Sequence, residues 1–357
     1  MRDDLLRLIR AKPACVASDA LFDALALRLF SEQFERNAPY RQFCLLQKKT
    51  PDCVRRWDEI PPLPVTAFKV ADIVCRPMAR AARVFHSSGT TGQTPSRHAL
   101  FDLELSQSAI ASHFARHLIP EGQRMRLAIL AASPEEAPHA SLAHMMETVR
   151  VAFGTSESRY YIERGRLQSE RLVYDLAEAT SPVCLLGTSF SFVHLIDFYA
   201  RHGFPCVLPA GSRLMDTGGF KGKSREVARE WIYARAEALW GIRPENCVNE
   251  YGMTEMTSQF YDGVVGEATR DDAPRVYRSP PQVRTRVLSP ATLAPVPRGE
   301  VGLLAHYDLA NRDSALAVLT EDLGHEANGG FILIGRATGA QARGCSLTLD
   351  DFEPAAS

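Results

Sequence analysis

Lysine has only six positions in this 357-residue chain, 12, 48, 49, 69, 221 and 223, and arginine supplies the rest of the positive charge. Any step that needs a lysine must draw on one of these. No two of the eight cysteines (15, 44, 53, 75, 184, 206, 247 and 345) are spaced C-x-x-C, so neither a zinc site nor a thioredoxin-like redox motif is written here. Their scatter points to reduced thiols and the cytoplasm. No apolar run approaches the roughly 20 residues of a membrane span. Asp3 and Asp4 stand near the start with no apolar stretch of the signal-peptide kind. Neither sign of charge is in excess: the formal net charge is -1, which gives no reason to expect nucleic acid or an anionic membrane as partner. With 45% apolar and 23% charged residues, the composition suits a globular protein with a sizeable core, in one large domain or two ordinary ones.

Periodicity organises the chain into three textures. Residues 1–75 read as mainly helical, apolar over 20–30 and proline-rich over 60–64. From 104 to about 250 the pattern alternates. Helix-like 105–118 precedes the apolar run 127–130, strand-like 183–186 leads into helix-like 190–199, and the apolar stretch 205–208 follows. Residues 224–240 read as a helix with Val227, Trp231, Ile232 and Leu239 on one side. Such alternation predicts an α/β sheet with helical cover. After about 275, strand-like 282–288, 300–306 and 331–334 are separated by Pro/Gly turns, as in a β-rich subdomain.

Two motifs carry chemistry. Ser87, Ser88, Gly89, Thr90, Thr91 and Gly92 form a hydroxyl-rich glycine loop whose N–H and hydroxyl groups can wrap a polyphosphate. It is not a Walker A loop, because no Gly-Lys-Ser/Thr follows it. Far downstream, Asn249-Glu250-Tyr251-Gly252-Met253-Thr254-Glu255 offers an aromatic face, a hydroxyl and a carboxylate. These suit stacking on a base, bonding a phosphate and holding Mg²⁺ respectively. Paired Gly218 and Gly219 let backbone approach a flat ligand closely. His113 and His117, four residues apart, read as a helix-surface pair, since nothing supplies a third metal ligand.

In this order the motifs resemble the adenylate-forming superfamily of acyl-CoA synthetases, luciferases and peptide-synthetase adenylation domains. The resemblance implies that ATP and Mg²⁺ are bound. Ser87 to Gly92 would hold the phosphates, Tyr251 with Gly252 would meet adenine, and Thr254 would bond the α-phosphate. Glu255 would hold the metal. Gly218 and Gly219 would line the adenine and acyl pocket, and His144 would lie beside the acyl carboxylate. Thr320-Glu321-Asp322 resembles the superfamily's Thr-Gly-Asp, with Glu321 in place of glycine, so that Asp322, with Arg336 near the hinge, would fix the ribose.

Larger relatives deliver a catalytic lysine on a mobile C-terminal domain. This sequence has no lysine after Lys223 and ends at Ser357, so that domain is expected to be absent or reduced to a tail. Residues 1–335 would form the large α/β domain (core about 76–275, β-rich part about 276–335), and 336–357 the tail. Lys221 or Lys223, with Arg97, would stand in for the missing lysine. Arg343-Gly344-Cys345-Ser346-Leu347, taken with Pro64 to Lys69 and Gly218 to Gly222, resembles the acyl-protein synthetases of bacterial luminescence operons. That likeness implies a fatty or other carboxylic acid substrate, Cys345 as the acyl acceptor, and a reductase or carrier protein as partner. Two alternatives stay open: an acyl-CoA or acyl-carrier-protein ligase of the phenylacetate type, and a non-catalytic nucleotide-binding scaffold.

Overall fold

In the computed structural model, which describes residues 1–11, 18–87, 94–203, 206–218, 227–267 and 274–337, the chain divides into two units of mixed α/β structure. One holds Ile110–Gly252 and Phe260–Arg275; the other holds Met1–Ala109, Met253–Gln259 and the chain from Val276 onward.

The first unit is built on a parallel sheet. Strands run in the order Cys247–Tyr251, Arg213–Thr217, Val183–Thr188, Arg126–Leu130 and Arg159–Tyr160, with the short Phe260–Tyr261 added antiparallel beside Cys247–Tyr251. Alternate residues face opposite sides of a strand. Here Ala128, Leu130, Leu185 and Leu214 enter one apolar cluster, while Leu127, Ile129, Cys184, Leu186 and Met215 enter another. Both faces are therefore covered, which is why 127–130 and 183–186 read as unbroken apolar runs. Helices Ser169–Ala177, Ser189–His202 and Arg229–Trp240 contribute to the first cluster, and Ser141–Phe153 to the second. Thr188 caps Ser189–His202 by accepting the Ser191 N–H, and the helix stops at Gly203, whose φ of 70° is left-handed and suits glycine.

Two expectations are corrected in this unit, and one strand was not foreseen. The apolar stretch 206–208 does not join the sheet: its Cys206 and Leu208 N–H groups bond the carbonyls of Leu239 and Trp240. The sheet strand is Arg213–Thr217, hidden in the sequence because it buries an arginine and an aspartate. The helix expected from 224 begins at Arg229, and Ala228 before it is extended. His113 and His117 are not on the surface. Both are buried, their rings 5.2 and 5.0 Å from that of Tyr261, and the His117 Nδ1–H donates to the Gly263 carbonyl at 2.5 Å.

The second unit carries helices Arg2–Arg10, Asp19–Arg36 and Ala38–Leu46; beyond Leu46 the first 75 residues hold only the short Trp57–Glu59 and Ala67–Val70. Ser18 and Asn37 cap the second and third helices through their side chains. An antiparallel sheet runs Val283–Leu288, Gly302–Asp308, Ala317–Ala327, Gly330–Arg336 and Tyr277–Arg278. Leu63–Pro64 pairs parallel with Val318 and Leu319 of its long strand. A hairpin of Arg83–His86 and Arg97–Leu100 stands apart. The Gln33 side chain donates to the carbonyls of Asn311 and Arg312 and accepts from the Leu316 N–H, tying the second helix to the sheet. No described helix is long and apolar enough to cross a membrane.

Candidate active site

In the sheet-and-hairpin unit, the segment that follows Gly252 is held almost atom by atom. Thr254 gives its carbonyl to His98 Nδ1 at 2.7 Å. A carbonyl only accepts, so the proton is on Nδ1, and burial pushes this imidazole down to about 4, leaving it neutral. Asn311 Nδ2 donates to the Glu255 carbonyl at 2.9 Å, and its Oδ1 accepts the Thr257 hydroxyl at 2.8 Å. Asp308 accepts from the Ser258 N–H and hydroxyl at 2.8 and 2.9 Å, and burial pushes its carboxyl up to about 6 against those bonds. Such a network fixes the backbone on which Thr254 and Glu255 stand.

Glu255 is itself buried, at 5% exposure. Burial pushes its carboxyl above the usual carboxylate range; a hydrogen bond with the Ser96 hydroxyl and the charges of Arg336 and Lys69 pull it back. Ser96 also ties down the base of the glycine loop: its N–H donates to Ser87 Oγ at 2.9 Å, and its carbonyl accepts the Ser87 N–H at 3.0 Å. Ser87 is thus placed, whereas Ser88, Gly89, Thr90, Thr91 and Gly92 lie outside the described residues, as do Gly219, Lys221 and Cys345.

Asp322 is on a strand, Ala317–Ala327. It stands opposite Arg336 of the neighbouring strand Gly330–Arg336, with Oδ1 3.8 Å from the guanidinium; Glu321 lies 3.3 Å from the same group. The Asp322 N–H is bonded to Thr320 Oγ1, whose own hydroxyl proton goes to the Leu304 carbonyl at 2.8 Å. This unit therefore brings together Ser87, Thr254, Glu255, Asp322 and Arg336 through a shared framework. Arg97, at the start of its strand, pairs with Asp72 at 2.7 Å.

In the parallel-sheet unit, Tyr251 ends the strand Cys247–Tyr251, with its ring 5.7 Å from Phe260, and Gly252 follows, exposed. Gly218 follows Arg213–Thr217 with φ 70°, and its carbonyl accepts the Ser189 hydroxyl at 3.0 Å. His144 is half-buried in the first turn of Ser141–Phe153. A buried polar hub, missed in the sequence, supports these C-terminal strand ends. Asp216 accepts from Ser189 Oγ, Tyr233 OH and Asn249 Nδ2 at 2.8, 2.7 and 2.9 Å. Beside it Glu250, accepting the Thr217 hydroxyl, is pushed by burial up to about 7. The available signal was polar residues inside otherwise apolar strands, which are rarely buried without partners.

Among the described residues no group of three His, Cys, Asp or Glu side chains could hold a metal ion. Glu255 is a buried carboxylate that belongs to no such group.

Known proteins match this architecture. The family model described as acyl-protein synthetase, LuxE, covers residues 7–352. A long-chain-fatty-acid–luciferin-component ligase from Aliivibrio fischeri is 22% identical over 311 residues, 85% of this chain and 78% of the relative. Its counterpart in Vibrio harveyi is 22% identical over 304 residues, 83% of this chain and 76% of the relative. Among solved structures, an open conformation of 2-hydroxyisobutyryl-CoA ligase in complex with 2-HIB-AMP and CoA aligns at a TM-score of 0.67 and 17% identity, over 92% of this chain and 77% of that one. ATP-bound MatB from Rhodopseudomonas palustris aligns at 0.50 and 16% identity, over 74% and 49%. At such identities the structural likeness is one of fold.

Proposed function

This chain belongs to the LuxE acyl-protein synthetase family, and on that premise we propose that it uses ATP to convert a fatty acid into acyl-AMP and then carries the acyl group on its own Cys345. A carboxylate oxygen attacks the α-phosphorus, the bond to the β-phosphate oxygen breaks, and pyrophosphate leaves. The Cys345 thiolate next attacks the acyl carbon, AMP leaves with the carboxylate oxygen, and a thioester remains. The mixed anhydride makes this second step feasible, since a free carboxylate is a poor acyl donor.

In this reading Ser87, Ser88, Gly89, Thr90, Thr91 and Gly92 hold the phosphates, and Thr254 bonds the α-phosphate. Tyr251 and Gly252 meet adenine, Gly218 and Gly219 line the pocket, and Asp322 with Arg336 fixes the ribose. His144 lies by the acyl carboxylate. Glu255 fits Mg²⁺, an ion usually held by one or two carboxylates together with substrate phosphates; bound there, it would neutralise charge on the triphosphate. Lys221 is a candidate for the role that a C-terminal lysine plays in larger relatives. Residues 1–335 act as the adenylating body, and the segment 336–357 delivers the cysteine. Cys345 lies nine positions beyond Arg336, enough for an extended reach of roughly 30 Å. Transfer onward to a reductase or carrier protein in the cytoplasm completes the role. The observation that most supports the reading is the buried Glu255 carboxylate, hydrogen-bonded with Ser96 and flanked by Lys69 and Arg336.

Labelled fatty acid with ATP tests it. Wild-type protein should acquire an adduct that survives denaturation and is removed by hydroxylamine, while Cys345→Ala should acquire none and keep ATP–pyrophosphate exchange. Equal labelling of Cys345→Ala would show another acceptor. No labelling, with rapid thioester formation on added CoA, would make the protein a CoA ligase; absence of exchange altogether would leave a scaffold.

A further inference from the structure

Lys69 stands out among the described lysines. Lys48 is exposed just past the helix Ala38–Leu46 and Lys49 beside it is half-buried; Lys69, also half-buried, is the one of the three that lies on a helix, the short Ala67–Val70. Its backbone is braced from two directions. On one side, Leu63–Pro64 pairs with Val318 and Leu319, and the Val65 N–H donates to the Leu319 carbonyl at 2.9 Å, three residues before Asp322 on the same strand. On the other, the fully buried ring of Phe68 meets His98 edge-on at 6.1 Å, and His98 in turn bonds the Thr254 carbonyl. Neighbours of Lys69 are thus fixed to both halves of the candidate nucleotide site. The side chain itself is close enough for its charge to act on Glu255, as does that of Arg336.

Arg336 also faces Glu321 and Asp322, at 3.3 and 3.8 Å. A divalent ion on Glu255 would bring substrate phosphates to the carboxylate on which the Lys69 charge acts, and a compact, strongly hydrated ammonium on a flexible stem suits a phosphate as a point charge.

We propose that Lys69 is a polyphosphate-binding residue, its ammonium contacting the β- or γ-phosphate oxygens of ATP and the pyrophosphate that departs. The inference rests on the adenylation reading and assigns it a cation from the N-terminal part of the chain.

Three measurements on the full chain test it: ATP–pyrophosphate exchange, equilibrium binding of inorganic pyrophosphate with Mg²⁺, and binding of AMP. Lys69→Met keeps the apolar stem and removes the charge; Lys69→Arg restores a charge. In Lys69→Met, KM for ATP and Kd for pyrophosphate should rise about tenfold or more, the loss of one charge-assisted contact. AMP affinity, KM for the acid and the thermal midpoint should stay as in wild type, because AMP lacks the outer phosphates; Lys69→Arg should recover much of the loss. A purely structural lysine would instead lower the midpoint, or weaken AMP and pyrophosphate alike, and either result overturns the assignment. Unchanged ATP and pyrophosphate affinity in Lys69→Met overturns it too, and leaves adenylation standing. If wild type shows no exchange but binds pyrophosphate through Lys69, the adenylation reading fails and the lysine's role holds. If wild type neither exchanges nor binds pyrophosphate, both fail.

Discussion

Replacing Glu250 by glutamine should make this protein more stable at alkaline pH and leave it nearly unchanged in acid. Glu250 is 4% exposed and lies in register with Thr217, whose hydroxyl it accepts. Burial, reinforced by the neighbouring Asp216, pushes its carboxyl from 4.5 to about 7. At about 1.4 kcal/mol for each tenfold change in proton affinity, that interval corresponds to about 3 kcal/mol. The folded-state value lies above the unfolded one. Below pH 4.5 both states hold the proton and no penalty exists; between 4.5 and 7 the native state holds more protons, so stability falls as pH rises; above 7 the whole cost is present. Glutamine removes the charge and keeps an oxygen for the Thr217 hydroxyl. At pH 8.5 the variant should gain about 2–3 kcal/mol, or roughly 5–10 °C in the unfolding of a unit this size. Near pH 4.5 the two proteins should coincide. Urea unfolding followed by the fluorescence of Trp240, buried in the same unit, reads the difference. A gain that is equal at both pH values, or a loss at pH 8.5, would refute the account.

Two further outcomes concern the candidate site. Glu255→Gln should lower ATP–pyrophosphate exchange about 100-fold or more, since charge stabilisation is commonly the largest catalytic contribution, while unfolding midpoints stay level or rise because a buried carboxylate has been neutralised; wild-type exchange in this variant would remove the metal role. Asp322→Ala should raise KM for ATP about tenfold, the worth of a lost charge-assisted hydrogen bond, and abolish any preference for ATP over 2′-deoxy-ATP, and a preference that survives would place the ribose elsewhere.

The sequence was legible where one physical rule acted alone. Leu127 to Leu130 and Val183 to Leu186 are apolar because helices cover both faces of the sheet, and the helix expected over 190–199 follows directly as Ser189–His202. It was opaque where burial depends on distant partners. Arg213–Thr217 does not look like a strand, since its arginine is buried against the Leu118 carbonyl and Glu121, and its aspartate against Ser189, Tyr233 and Asn249. His113 and His117 look like surface residues until Tyr261 and Gly263, some 146 positions on, are seen packed against them. The strand Ala317–Ala327 was not among those expected, because it carries Glu, Asp and Gly in its middle. At the site, Glu255 and Asp322 were legible as motif members and Lys69 only as the end of the stretch from Pro64, while His98 and Ser96 were not, because their significance lies in what they touch.

The Gln33 bonds to Asn311, Arg312 and Leu316 have a consequence for biosynthesis. A helix that emerges early in synthesis must wait for residues made nearly 280 positions later, and so must Leu63–Pro64 for Val318 and Leu319. At ordinary translation rates that delay is on the order of tens of seconds. The parallel-sheet unit is complete in sequence by Arg275 and can close while the ribosome is still working. Throughout that interval Phe22, Leu25, Leu29 and Phe30, all buried in the finished protein, have no sheet to cover them. The N-terminal helices are therefore the part of the nascent chain that a holding chaperone would bind longest, and the part most prone to aggregate when synthesis outruns such protection.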